Sequence, residues 1–558
     1  MTSRKLFTVA LVVALAAPPE ILWGADAGRI QFENRQKHSG INFVLDNGTL
    51  PDKPMIDGIP GGVALLDYDN DGYLDIFFTN GASLPGFAKE GDKFSNRLYH
   101  NNHDGTFTDT TDRAGLRGEG YSVGAAAADY DNDGRTDLYV TGFDRNFLYH
   151  NNGDGTFTDV TAKAGVTGVS SAGTKLWGIS AAWLDYDNDG KLDLFVVNYL
   201  DWSFATSRVC GSAAKRLSCS PTLYKGEPNI LYHNNGDGTF TNVSEIMGIS
   251  RHIGKGMGVA IADYNDDGWM DIFVANDNDR NFLFKNRGGK TFDEVGVESF
   301  VAYTDSGLPV SSMGVDFRDW NNDGKPSLII TALGGETYPL FRNEGNGFFS
   351  YESYKAGIGF RSLKMSGWGA GIEDFDNDGY KDLFTANSHV SENADLGGQQ
   401  HYRQANAVFR NMRDGTFQDV SGDAGPGLQI RAAHRGCAFG DLNNDGKIDV
   451  VVSAIGSQAE LLYNTSTGGN HWILIKTVGV KSNRDGIGTR IKVTTASGLV
   501  QYNHVTTAGS YASSNDPRVH FGLGADTVIK EIELKWPSGT VQVLRNVKAD
   551  QVLPVTEE

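Results

Sequence analysis

Leu65 to Asp75 reads LLDYDNDGYLD and sets four aspartates, Asp67, Asp69, Asp71 and Asp75, within nine positions around Gly72. Like charges this close repel, so a chain that folds with them crowded together must gain something at that spot. Carboxylates at loop positions 1, 3 and 5, a glycine at 6 and a carboxylate at 9 converge on one tight turn. Hard oxygen donors in that number suit Ca2+, which takes ~6–8 of them, with a backbone carbonyl and water completing the shell. Gly72 permits the sharp turn. A doubly charged cation inside converts the repulsion into attraction.

The stretch recurs. Its other copies carry Asp129, Asp131, Asp133 and Asp137; Asp185, Asp187, Asp189 and Asp193; Asp263, Asn265, Asp267 and Asp271; Asp374, Asp376, Asp378 and Asp382; and Asp441, Asn443, Asp445 and Asp449. A weaker copy has Asp319, Asn321 and Asp323, with Ser327 at position 9 next to Pro326. That makes seven copies whose starts lie 55 to 78 residues apart. About six bound Ca2+ ions are expected, the weak fifth loop holding its ion poorly or not at all. An EF-hand would place glutamate at position 12. Here that position holds Phe78, Val140, Val196, Val274, Ile330, Thr385 and Val452, so the loops are framed by strands.

The frame repeats as well. Small and apolar runs such as GGVALL and VGAAAA precede the loops, and β-branched or aromatic runs such as LDIFFTN and LDLFVVN follow, both strand compositions. Two further short strands follow around Asp-Gly, a hairpin signal, as in NRLYHNNHDGTFTDTTDRAGL (Asn96 to Leu116). Four antiparallel strands in about sixty residues, in series, predict a propeller. The fold class expected is all-β: a seven-bladed β-propeller closed by an N-terminal strand, followed by a small C-terminal β domain. The closure follows from the ends of the array. Phe32 and Gly40 repeat the spacing of the outer-strand motif but have no blade of their own, while the seventh loop lacks that motif. Residues 30–34 should therefore pair with the strand near Leu461–Tyr463 and remove an open edge. Phe300 stands where the fourth copy should have its glycine.

The 558 residues carry a net charge of −20, which argues against nucleic acid as a partner and favours cations or basic ligands. Arg4 and Lys5, the apolar run Leu6 to Ala17 and the A-x-A-like Ala25 to Ala27 read as an export signal over 1–27. No second apolar stretch is long enough to span a bilayer. A secreted, periplasmic or cell-surface monomer without a membrane span is expected. Cys210 and Cys219 share one polar loop and are disulfide candidates; Cys437 reads as a buried, inert thiol. The propeller is assigned to 28–468 and the C-terminal domain to 469–558. From Gly469 on there are ten Lys/Arg against eight Asp/Glu, so the acidity belongs to the propeller and the tail reads as separable.

These units, of the form GxxVAxxDYDNDGxLDLFV, resemble the FG-GAP/VCBS repeats of integrin α-subunit propellers and their bacterial relatives. The tail, from NHWILIKTVGVKSNRDGIGTRIKV to KEIELKWPSGTVQVL, resembles the ASPIC/UnbV domain. The pairing is similar to the family of secreted cartilage acidic protein 1, over nearly the whole mature chain. The resemblance implies calcium in inter-strand loops on one side of the ring; it is specific for fold and weakly so for function.

No catalytic residue is assigned. His100, His150 and His233 occupy one repeated slot, LYHNN, taken by Lys285, Arg342 and Arg410 in other blades. Repeated residues are spread around a ring, so they read as structural. No G-x-S-x-G, H-E-x-x-H or phosphate loop occurs. Three non-repeating inserts, 80–96, 201–229 and 386–406, hold Lys225, Glu227, His389, Glu392, His401, Tyr402 and Arg403. Insertions in such rings collect on faces where ligands bind. The expected function is a binding or adhesion module for an extracellular protein or glycan; the alternative is a polysaccharide lyase or hydrolase on the same scaffold.

Overall fold

A computed structural model describes residues 29–558 apart from 171, 214 and 398–399, so the export signal expected at 1–27 lies outside the described residues. Seven four-stranded antiparallel sheets follow one another before the tail. The first comprises Val63–Leu66, Asp75–Phe78, Arg97–Asn101 and Phe107–Asp109. The first strand of each sheet packs against the first strand of the next, and that of the seventh (Ala433–Gly440) against that of the first. The sheets are thus blades around an axis.

The small-residue runs have a steric cause. A Cβ on Gly124 would stand 2.2 Å from Ile179 O, and one on Gly314 2.0 Å from Trp368 O. Inner strands approach so closely at the axis that only glycine, or a serine bonded across the gap, fits. Ser180 takes that place in the third blade, its hydroxyl donating to Met257 O. Hydrophobic clusters fill the spaces between adjacent blades, for example Leu66, Phe77 and Leu98 against Ala127, Leu138 and Phe157.

The N-terminal strand Phe32–Asn34 pairs antiparallel with Glu460–Asn464, Phe32 opposite Asn464 and Asn34 opposite Leu462. It forms the outer strand of the seventh blade, so both chain ends lie in one sheet. Phe32 is fully buried, its ring 5.3 Å from that of Phe375 and 6.1 Å from that of Phe384. Each outer strand is followed by a short turn ending in a left-handed residue. That residue is glycine at Gly40, Gly115, Gly165, Gly248, Gly357 and Gly425, but Phe300, with φ +62°, in the fourth blade.

The tail folds as a three-stranded and a four-stranded sheet. Between Val500–His504 and Val519–Gly524 the chain leaves both sheets and enters the ring. There Ser510 exchanges backbone hydrogen bonds with Val315 in the fifth blade (3.1 and 2.7 Å), and Ser514 with Val63 and Leu65 in the first (2.8 and 3.0 Å). Ala512 O accepts from Ala125 N in the second blade, and Ala512 N donates to Ser180 Oγ in the third. Tyr511, fully buried, donates to Ile59 O at 2.7 Å and sets its ring 5.0 Å from that of Trp368. The tail expected to be separable therefore fills the axis. Its sequence there, TTAGSYASSND, is composed like a linker; the small side chains fit a bore walled by backbone.

In an antiparallel blade, the connections after strands one and three emerge at one end and those after strands two and four at the other. The acidic loops follow first strands and lie at the end facing the tail. The three inserts follow second strands and gather at the opposite end. Cys210 and Cys219 are disulfide-bonded there, with 5.3 Å between Cα atoms. Cys437 is buried on the inner strand of the seventh blade.

Candidate metal centres

Every acidic loop is bent by the same backbone conformation. Position 6 is glycine with φ between +81° and +90°, and position 4 is Asn, or Asp in the fourth loop, also left-handed. The position 1 carboxylate accepts the glycine N–H, at 2.7 Å for Gly134 to Asp129 and 3.2 Å for Gly72 to Asp67. Position 5 caps the turn: Asp71 Oδ1 accepts Tyr73 N at 2.9 Å. Position 9 opens the second strand and is fully buried at Asp75, Asp137, Asp193 and Asp271. Its two oxygens accept separate backbone donors, as Asp75 does from Tyr68 N (3.2 Å) and Asn101 N (2.8 Å). In the fifth loop Ser327 Oγ keeps one of these, accepting Asn343 N at 3.0 Å.

The remaining oxygens converge. Ligand atoms of Asp67, Asp69 and Asp75 lie within 4.8 Å of one another, as do those of Asp129, Asp131 and Asp133. Asp67 Oδ1, Asp187 Oδ1, Asn265 Oδ1, Asn321 Oδ1 and both oxygens of Asp376 are buried without a hydrogen bond. Arg410 Nη2 stands 2.6 Å from Asp376 Oδ2, but off the hydrogen-bonding direction, so it balances charge without satisfying the lone pair. Buried acceptors left open on the inner side of a turn are costly unless a cation fills them. Burial pushes Asp75, Asp137 and Asp193 up to about 7, and Asp129 and Asp185 up to about 8. A cation reverses such shifts, because its charge favours the ionised carboxyl. The donor set fits a hard divalent ion.

The LYHNN histidines, read from the sequence as structural, each stand beside the acidic loop of their own blade. Tyr99 pairs with Ile76 across the sheet, which brings His100 beside Asp75. His100 Nδ1 lies 3.3 Å from both Asp69 Oδ2 and Asp75 Oδ1, and His150 and His233 stand likewise at their own loops. Arg410, Arg342 and Lys285 occupy the same slot, at 2.6, 3.6 and 4.0 Å from Asp376, Asp323 and Asp267. The spacing from the acidic loop to that slot varies with the insert between them, which hid the relation in sequence.

Two rings of asparagines tie the centres together. The Asn after the LYH slot donates to its own loop and to the preceding blade. Asn151 Nδ2 reaches Tyr68 O (2.7 Å) and Thr136 O (3.0 Å), and Asn464 reaches Phe375 O (2.9 Å), while Asn101 reaches Leu442 O (2.8 Å) and so closes the circle. The position 4 asparagines form the second ring: Asn70 donates to Gly134 O at 2.8 Å, Asn132 to Gly190 O at 2.9 Å, and so on to Asn444 and Gly72 O at 3.1 Å. Asp266, the fourth-loop residue, has no N–H to give. Arg490 of the tail replaces it, pairing with Asp266 and donating to Gly324 O at 2.7 Å. The asparagines were legible as repeats; their partners were not.

Of the insert residues, Glu392, Tyr402 and Arg403 line one cleft. Glu227 is buried and accepts Trp177 N at 2.8 Å. His401 pairs with Asp395 at 2.8 Å. No described helix is long and apolar enough to cross a membrane.

The FG-GAP-like repeat pattern matches residues 67–140, 129–196, 222–274, 263–330, 319–385 and 374–452, and the ASPIC and UnbV pattern matches 479–558. The chain is 24% identical over 549 residues to cartilage acidic protein 1 of Homo sapiens, covering 94% of this chain and 76% of that one. To the Xenopus tropicalis protein it is 25% identical over 499 residues, covering 86% and 70%. Among solved structures, an Agrocybe aegerita lectin recognising non-reducing terminal N-acetylglucosamine superposes with a TM-score of 0.38 at 16% identity, over 64% of this chain and 79% of that one. With its repeats matched across more than half its length, this chain belongs to the FG-GAP-like repeat family and carries an ASPIC and UnbV segment.

Proposed function

We propose that the protein is a calcium-loaded propeller acting outside the cytoplasm, secreted or held in the periplasm or at the cell surface, as a binding or adhesion module for a protein or glycan ligand. The observation that carries the calcium reading is the set of buried loop oxygens left without hydrogen-bond donors, Asp376 with both of its own among them. Asp67, Asp69, Asp71 and Asp75, with their equivalents in the other loops, are the ligands. About six ions bind, and the fifth loop is the weakest, because Asp319 and Asp323 are its only carboxylates at the ligand positions and Ser327 stands at position 9. The Cys210–Cys219 bond suits an oxidising compartment. The propeller is assigned to 28–468 and the C-terminal β domain to 469–558, working as a monomer. Metal analysis of the purified protein should return six ions, give or take one, and a glycan and protein array run beside a turnover assay should give binding without turnover. Fewer than three calcium ions, or turnover of a polysaccharide, would replace this reading.

A further inference from the structure

The end of the ring away from the acidic loops carries a second built site. Arg435 opens the inner strand of the seventh blade and is fully buried. Its guanidinium lies 4.0 Å over the ring of Trp368, its Nε donates to Gly58 O at 2.7 Å, and its Nη1 donates to His434 O at 2.8 Å. No carboxylate among the described residues comes within ion-pair distance of it; Asp57 acts on it only through space, and Tyr402 stands within hydrogen-bonding reach. A buried charge without a counter-ion is expensive. The guanidinium lines a small chamber of about 10 Å3, room for one oxygen-sized group. Three segments distant in sequence wall it. Lys53 reaches Glu392 at 2.6 Å, Arg216 reaches Asp52 at 3.3 Å, and Asn393 donates to Arg216 O. Burial pushes the neighbouring Asp57 carboxyl up to about 6.

The chamber shares Asn47, Glu392 and Tyr402 with an open cleft of about 460 Å3, inside the ~300–1,000 Å3 range of small-ligand sites. The cleft adds Thr49, Ser83, Arg403 and the Lys93–Asp46 pair (2.9 Å) as polar groups and Phe94 as an aromatic face. Donors and acceptors mixed with rings suit a polyol.

We propose that this end of the propeller binds an acidic sugar, one carboxylate oxygen of a uronic acid reaching the chamber to meet Arg435 while its pyranose ring rests in the cleft. Lys53 and Arg216 line the chamber, where an incoming carboxylate would compete with Glu392 and Asp52 for them, and Tyr402 lines both compartments. The inference deepens the binding-module reading and rests on it.

The test titrates the full-length, calcium-loaded protein with galacturonate and glucuronate, with galactose and acetate as controls, by calorimetry and by melting temperature. A uronate should bind saturably, and galactose and acetate about tenfold more weakly or worse. Arg435→Lys, and separately the pair Lys53→Gln with Arg216→Gln, should weaken uronate binding by about tenfold or more while calcium content stays unchanged. The half-buried pair keeps the test decisive if the fully buried variant misfolds. The proposal is overturned if no uronate saturates, if galactose or acetate binds equally well, or if the half-buried pair leaves the affinity intact. A ligand found on the arrays whose binding ignores these variants would overturn this site while leaving the binding module standing.

Discussion

At the residue scale, single side chains carry two burdens that their sequence neighbours do not reveal. Glu227 sits in an insert, where acids are usually solvated, yet it is buried against Trp177 N and burial pushes it up to about 8 from 4.5. The folded state therefore holds a proton that the unfolded state releases above 4.5. The stability this contributes is complete below about 4.5 and lost as pH rises through about 8. Glu227→Gln keeps the acceptor and abolishes the titration. Urea denaturation should find the two proteins equal at pH 4.5 and the variant ~1–3 kcal/mol more stable at pH 8.5. A variant less stable at both values would show that the carboxylate is ionised and partnered. Ser327 is the opposite case. Its hydroxyl preserves the bond to Asn343 N but leaves the fifth loop one carboxylate short. Ser327→Asp should raise the calcium count by one or tighten the weakest site, as isothermal titration would record.

At the scale of elements, loops communicate through amides. Six position 4 asparagines donate to the next loop's glycine carbonyl, and Arg490 spans the one gap, at Asp266. Arg490→Ala should cost ~1–3 kcal/mol, because it leaves Gly324 O without its donor and Asp266 with only Lys535, at 3.4 Å. In an Asp266→Asn background the amide can donate across the gap and no charge is stranded, so the same change should cost less. A double-mutant cycle measures the difference, and purely additive effects would count against the bridge. The closing strand is a second element-scale matter. Deleting residues 28–41 removes Phe32 from the cluster around Phe375 and Phe439 and bares an edge of Glu460–Asn464. Size-exclusion chromatography should then show aggregation, as an exposed edge invites; a monodisperse, cooperative ring would mean that the seventh blade does not need its fourth strand.

For the whole molecule, calcium and the tail should stabilise one unit. At free calcium ten times the dissociation constant each site adds ~1.4 kcal/mol, and six give roughly 8 kcal/mol, comparable to the stability of an ordinary domain. Melting should fall sharply in EDTA and recover with Ca2+ but poorly with Mg2+, which prefers a smaller octahedral shell. Truncation after Gly469 should also lower the melting temperature and broaden the transition. It removes the hydrogen bonds that Ser510, Ala512 and Ser514 give to inner strands, and it strips Tyr511 from Trp368. A truncated ring that melts like the full chain would show that the axial segment only occupies space.

Seven copies of an aspartate loop between strand-like runs determined the repeat, the all-β architecture and the candidate ligands, because each blade's pattern is local and spans about sixty residues. Phe32 and the missing outer motif after the seventh loop were enough to pair the two ends of the ring, since an incomplete unit at each end has one complement. The path of Val505–Arg518 through the axis was decided only by the tertiary structure: small polar residues look the same in a linker and in a bore lined by backbone. Likewise His100 meets Asp75 only once strand register is set, and Arg435 gains its chamber only when two inserts and the segment ahead of the first blade meet above it. Periodic patterns are written along the chain, whereas contacts between units depend on how the ring closes.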